Sequence, residues 1–149
     1  MKLCLVSSTG GHLLQLVNLR GAWQAHERFW VTFPKMDAKT LLEDERVIWA
    51  FHPTNRSLKN LVRNLWLAWR VLRRERPDVV LSTGAGVGVP FLWMGRWLGM
   101  TTIYVESMTF IRHLSLSGRL VYPVVNRFFV QWPELPVRYP RAVYAGRIA

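Results

Sequence analysis

Three short stretches of this chain place glycine or serine beside a group able to hold an anion or move a proton. In LVSSTGGHLLQL (residues 5–16), Ser8, Thr9, Gly10 and Gly11 lead directly to His12. Paired glycines expose backbone N–H groups where a helix begins, and helix N-termini favour anions. In STGAGVGVP (residues 82–90), Thr83 is followed by Gly84, Gly86 and Gly88. In ESMT (residues 106–109), Glu106 and Ser107 follow the apolar run TIYV. His12 is a candidate contact to a phosphate or to an attacking hydroxyl; alternatively it faces solvent at the start of a helix. Glu106 bonds a sugar hydroxyl, accepts a proton, or caps the next turn. Neither glycine loop has the G-x-G-x-x-G dinucleotide spacing, and no G-x-x-x-x-G-K-[ST] phosphate loop occurs. The glycines by themselves also suit tight strand-to-helix turns.

The elements that must position these groups alternate along the chain. Residues 2–7 form a buried strand. Residues 12–25 form a helix with Leu13, Leu14, Leu16, Val17 and Leu19 inward. A second strand spans 28–33, a short helix capped by Asp37 spans 37–44, and a third strand spans 47–51. Ser57 caps a long helix ending near Arg76, before Pro77. Further strands are expected at 78–82, 101–105, 127–131 and 142–145, with an apolar helix over 89–98. Such alternation predicts a doubly wound α/β fold with a parallel, Rossmann-like sheet, in one domain over residues 1–149. In open sheets of this kind ligands bind beyond the carboxyl ends of the strands. All three stretches fall there.

Composition narrows the partners. The chain has 149 residues, 20 Lys+Arg against 9 Asp+Glu, a formal charge of +11, and eight tryptophans. That balance favours polyanions: phosphorylated substrates, anionic headgroups or nucleic acid. Tryptophan mixed with arginine points to a membrane interface over nucleic acid, and no nucleic-acid partner is expected. In SLKNLVRNLWLAWRVLRRERP (residues 57–77), helical spacing gathers Leu58, Leu61, Leu65, Trp69 and Leu72 as a core face. Lys59, Arg63, Arg70, Arg73 and Arg74 gather beside them with Trp66, while Leu67 and Val71 lie opposite. This is either a solvated basic face with stray apolar residues or an interfacial surface resting on lipid. Trp93 and Trp97 of the following apolar helix extend it. Cys4, the single cysteine, lies in the first apolar run and is expected to be a core residue. No run reaches a transmembrane length and no Cys/His cluster has metal-ligand spacing, so a cytoplasmic, peripheral protein without metal or cofactor is expected.

The quoted loops, extended to STGAGVGVPFLWMGRWLG and above all YVESMTFIRHLSLSGRLVYPVVNRFFVQWPEL, resemble the Alg14 family and its bacterial exopolysaccharide relatives of the PssD, EpsE and CpsF type. The similarity runs along nearly the whole chain and is most specific over Tyr104 to Leu135. It implies the acceptor-side, amino-terminal lobe of a GT-B glycosyltransferase similar to MurG. The donor-binding catalytic half would come from an Alg13-like partner subunit, and the acceptor would be a polyprenyl-pyrophosphate-linked saccharide. Gly10, Gly11 and His12 match the first glycine loop, expected near the acceptor pyrophosphate. Gly84, Gly86 and Gly88 match the second, and Glu106 matches the acid after the fifth strand. With no donor motif evident, the isolated chain is expected to be inactive. Rival readings are a self-sufficient nucleotide-binding α/β enzyme and a basic nucleic-acid-binding module.

Overall fold

The computed structural model describes residues 1–54 and 57–148. Strand β1 (Lys2–Ser7) leads to α1 (Gly11–Asn18) and the short α2 (Arg20–Trp23). Then come β2 (Glu27–Thr32), α3 (Met36–Leu41), β3 (Val47–Trp49) and the long α4 (Leu58–Glu75). Strand β4 (Val79–Gly84), α5 (Gly88–Trp97) and β5 (Thr101–Val105) follow. The chain continues through α6 (Leu116–Val121), β6 (Arg127–Val130), α7 (Leu135–Arg138) and β7 (Ala142–Tyr144). All seven strands are parallel, in the order β3-β2-β1-β4-β5-β6-β7. The doubly wound expectation therefore holds. The order reverses between β1 and β4, so a crevice opens beyond their carboxyl ends.

Strand alternation divides the core into two layers. Leu3 and Leu5 face α1 to α3, where they meet Leu13, Leu16, Trp23 and Trp30. Cys4 and Val6 face the other way, toward Ala68, Leu72, Phe91 and Leu92. Period-two side chains on a sheet covered on both faces produce this division. Cys4 is fully buried, and burial pushes its thiol well above the usual range, as expected for a core residue. Gly95 lets α5 lie close to the sheet, since a Cβ there would stand 2.9 Å from Val80 Cγ2.

Several local expectations require correction. The helix drawn over 12–25 is interrupted at Leu19, and Leu14 is exposed. Asp37 does not cap α3: the cap position is Lys35, and Asp37 lies in the first turn with its carboxylate turned elsewhere. The core face of α4 is rotated from its expected position. Asn60, Asn64, Ala68, Val71 and Leu72 are buried, while Leu58, Leu61, Leu65 and Trp69 are exposed. Leu67 likewise packs against the core instead of facing outward. Two asparagines explain the rotation. Asn64 accepts from Phe51 N at 2.9 Å and donates to Phe51 O at 2.9 Å, and Asn60 donates to Pro53 O at 2.7 Å. They satisfy backbone groups after β3 that would otherwise be buried without partners, which outweighs seating more leucine.

Candidate functional site

The crevice is built by tying the two glycine loops to each other. Ser8 N donates to Gly84 O at 2.9 Å, joining the ends of β1 and β4. The Thr83 hydroxyl donates to His12 O at 2.6 Å, and His12 Nδ1 lies 3.0 Å from Thr83 O. A carbonyl only accepts, so Nδ1 carries the proton in that contact. In the neutral ring Nε2 is then an acceptor. It has no hydrogen-bond partner among the described residues, and the ring is half-buried at the wall of a cavity. Gly84 must be glycine for two reasons. Its φ is +106°, and a Cβ would approach His12 Nδ1 to 2.9 Å.

The expected anion contacts separate into two groups. Ser8, Thr9, Gly10, Gly11 and Gly86 stand at the exposed or half-exposed rim. Thr83, Gly84, Gly88 and Ser107 are buried and shape the crevice from beneath. Gly88 is a packing glycine, because a Cβ there would lie 2.3 Å from Ser82 Oγ. The Ser107 hydroxyl is engaged by Thr109, accepting from its backbone N at 3.3 Å and pairing with its hydroxyl at 3.0 Å. No side chain caps α1 from the Gly10 position. An anion is already nearby: Gly10 N donates to Asp37 Oδ2 at 2.7 Å. The first glycine loop thus holds a carboxylate of its own chain.

Glu106 is enclosed by donors of its own chain. It is only 1% exposed. One oxygen accepts from Ser107 N at 2.9 Å and the other from Ser115 N at 2.9 Å. The Ser115 hydroxyl reaches both at 3.0 Å, and the Tyr104 hydroxyl donates to Oε1 at 3.3 Å. A carboxylate surrounded by donors in this way has its lone pairs committed to the protein. Burial, and then the neighbouring Glu106 charge, push the Tyr104 phenol far above its usual range. Ser115 in turn caps α6 by accepting from Gly118 N at 3.0 Å. A Cβ on Gly118 would stand 2.2 Å from Glu106 Oε2. Glu106 therefore fixes α6 onto the end of β5. Sequence reasoning missed Ser115, Gly118 and Tyr104. The spacing S-L-S-G over 115–118 is a weak N-terminal signal that could have indicated α6.

The cavity beyond His12 has a volume of about 830 Å³ and lies between α4, α5 and α6. Its walls include Leu61, Leu65, Val89, Trp93, Leu116 and Leu120, and its polar groups include His12 and Ser115. Outside it, Lys59, Arg63, Trp66, Arg70 and Arg73 are exposed along α4. Arg63 stacks on Phe51 at 4.2 Å, Arg70 on Trp66 at 5.4 Å and Arg73 on Trp69 at 5.0 Å. Arg74 is committed elsewhere, to an ion pair with Glu75 at 3.1 Å. Trp93 is partly exposed, with its indole N–H donated to Leu120 O, and Trp97 is exposed at the end of α5. No helix of the described residues is long and apolar enough to cross a membrane. Among the same residues no group of three or more His, Cys, Asp or Glu is placed to hold a metal ion.

Comparison with known proteins gives concordant results. Residues 50–148 match the family described as oligosaccharide biosynthesis protein Alg14 like. The UDP-N-acetylglucosamine transferase subunit ALG14 of Rattus norvegicus is 31% identical over 98% of this chain and 82% of its own length. The human subunit of that name is 38% identical over 58% of this chain and 43% of its own. In three dimensions, MurG of Acinetobacter baumannii superposes on 90% of the chain with a TM-score of 0.73 at 17% identity. The UDP-bound Staphylococcus aureus MnaA superposes on 99% with a TM-score of 0.78 at 13% identity. This chain spans 43% and 45% of those two structures. The fold is thus one Rossmann-like lobe of the GT-B type.

Proposed function

The chain belongs to the Alg14 family, and from that premise we propose that it is the acceptor-binding subunit of a two-component glycosyltransferase. The complex moves a sugar from a nucleotide-sugar to a polyprenyl-pyrophosphate-linked saccharide, and an Alg13-like partner supplies the donor site. The observation that carries this reading is the His12–Thr83 clasp between two glycine loops at the sheet's switch point. The rim amide at Gly11 suits a pyrophosphate oxygen, and a second oxygen would displace the Asp37 carboxylate from Gly10 N. His12 Nε2, free to accept, suits the hydroxyl that attacks the sugar: it takes the proton as the new glycosidic bond forms and the nucleoside diphosphate leaves. The names of the curated relatives, which denote a transferase subunit, support the division of labour.

The face bearing Lys59, Arg63, Trp66, Arg70, Arg73, Trp93 and Trp97 is assigned to the membrane that holds the acceptor. Arginine on lipid phosphate and tryptophan at headgroup depth make such a contact. The protein is then peripheral on the cytoplasmic side. Co-expression with the product of the neighbouring gene tests the reading. Sugar transfer to a polyprenyl-pyrophosphate acceptor is expected only when both chains are present. Transfer by this chain alone, or its absence from a stable complex, would overturn it.

A further inference from the structure

The cavity between α4, α5 and α6 is larger and more apolar than a pyrophosphate or a sugar requires. We propose that it receives the isoprenoid chain of a lipid pyrophosphate, leaving the pyrophosphate at the His12 end. This assignment rests on the acceptor reading above and adds to it a binding site beside the membrane-facing surface, with Trp93 common to both. Its volume of about 830 Å³ falls in the range of sites that enclose a ligand. Its walls are mostly aliphatic, with Leu61, Leu65, Val89, Leu116 and Leu120 and the hydroxyl residues Thr54, Ser57 and Ser117 among them, and His12 joins it to the glycine loops. Such a space suits an occupant with a long apolar body and a polar head that reaches His12.

Charge specifies the head. Between Leu58 and Arg74 α4 carries no acidic residue, and α5 and α6 carry none at all. Lys59, Arg63 and Arg119 supply positive charge on the same elements. These charges lie outside the cavity lining and make a positive surround that favours an anionic head. The walls argue against other occupants. A peptide would bring backbone N–H and C=O groups to leucine-lined walls that offer them few partners. A second copy would oppose two arginine-rich faces in a chain of net charge +11. A hydrocarbon chain has neither difficulty. The rotation of α4 fits this use. Asn60 and Asn64 occupy the core-facing positions, and Leu61 and Leu65 are left at the cavity wall. Leu58 and Leu116, 75% and 72% exposed, stand at its border, where a chain leaving a bilayer would first make contact.

The test compares farnesyl pyrophosphate with inorganic pyrophosphate by titration calorimetry on the purified chain. Burial of the chain's methylenes predicts farnesyl pyrophosphate binding at least about tenfold tighter. Leu61→Trp and Leu65→Trp, which fill the cavity, should abolish that preference. Inorganic pyrophosphate affinity should stay unchanged. Equal affinity of the wild-type chain for both compounds overturns the cavity assignment while leaving the acceptor reading in place. Binding of neither overturns both. A benzophenone-bearing farnesyl pyrophosphate tests the wild-type chain without relying on a variant that folds. Label on peptides containing residues 58–65 or 116–120 is expected; label confined to other peptides would overturn the assignment.

Discussion

His12 and Glu106 both stand at the carboxyl edge of the same sheet, yet their surroundings differ sharply. Glu106 is buried among Ser107, Ser115 and Tyr104, and each of its oxygens is engaged by donors. His12 is half-buried, held through one ring nitrogen by Thr83, with the other meeting no hydrogen-bond partner among the described residues. The same type of position in the fold thus yields a carboxylate enclosed by donors in one case and, in the other, a ring with one nitrogen left unengaged among the described residues. Proximity to the sheet edge selects candidates; the count of committed lone pairs separates them.

Substitutions can sharpen that contrast. The largest loss of stability is expected from Gly118→Ala, whose Cβ would collide with Glu106 Oε2 at 2.2 Å. A carboxylate held from several sides cannot easily move aside, so thermal unfolding should report a loss of about 3 kcal/mol. Glu106→Gln is next. It turns an amide NH₂ toward donors, and should cost about 1–3 kcal/mol in denaturant unfolding. Transfer per folded molecule should change little; a large loss of turnover in a fully stable variant would reinstate Glu106 as a chemical group.

Away from the crevice, the amino-terminal edge of the sheet provides a control. Glu75 accepts from Arg46 at 2.5 and 2.7 Å, from Lys2 at 3.0 Å and from Arg74 at 3.1 Å. The Arg46 hydrogen bonds, then those from Lys2 and Arg74, hold its carboxyl well below the usual range. Because the folded value is depressed, the stabilisation is present above the unfolded value of about 4.3 and fades as pH falls through the folded one. Glu75→Gln should cost about 1–2 kcal/mol at pH 7, since Arg46 and Arg74 are more than half exposed. The gap from wild type should narrow below about pH 4; a gap independent of pH would refute the ionic account. The smallest effect is expected from Asp37→Asn. It removes the charge on the Gly10 amide and should raise inorganic pyrophosphate affinity about threefold in calorimetry. A weakened affinity would mean that Asp37 supports the loop instead of competing for it.

Much of the frame was legible in the sequence. The strand at Thr101–Val105 coincides with β5, and β1 and the capped start of α4 are where pattern and Ser57 place them. Period-two burial and helix caps are local signals, so sequence carries them. The inward face of α4 was not legible. Leucine spacing pointed to one stripe, while backbone groups at Phe51 and Pro53 recruited Asn64 and Asn60 to another. That demand arises only when the loop after β3 lies against the helix. The surroundings of Glu106 were not legible for a related reason: Ser115, nine residues later, folds back over it. The glycine loops were found from sequence, but their clasp through His12 and Thr83 spans 71 positions and emerges only from the fold.

The most direct test of the account is His12→Ala in the assembled two-subunit complex, at saturating acceptor. The account predicts a fall in kcat of about a hundredfold or more, with subunit assembly and melting temperature retained and partial rescue by added imidazole. Near-normal turnover, or a loss that only follows unfolding and that imidazole does not restore, would contradict it and return His12 to a purely structural role in the clasp.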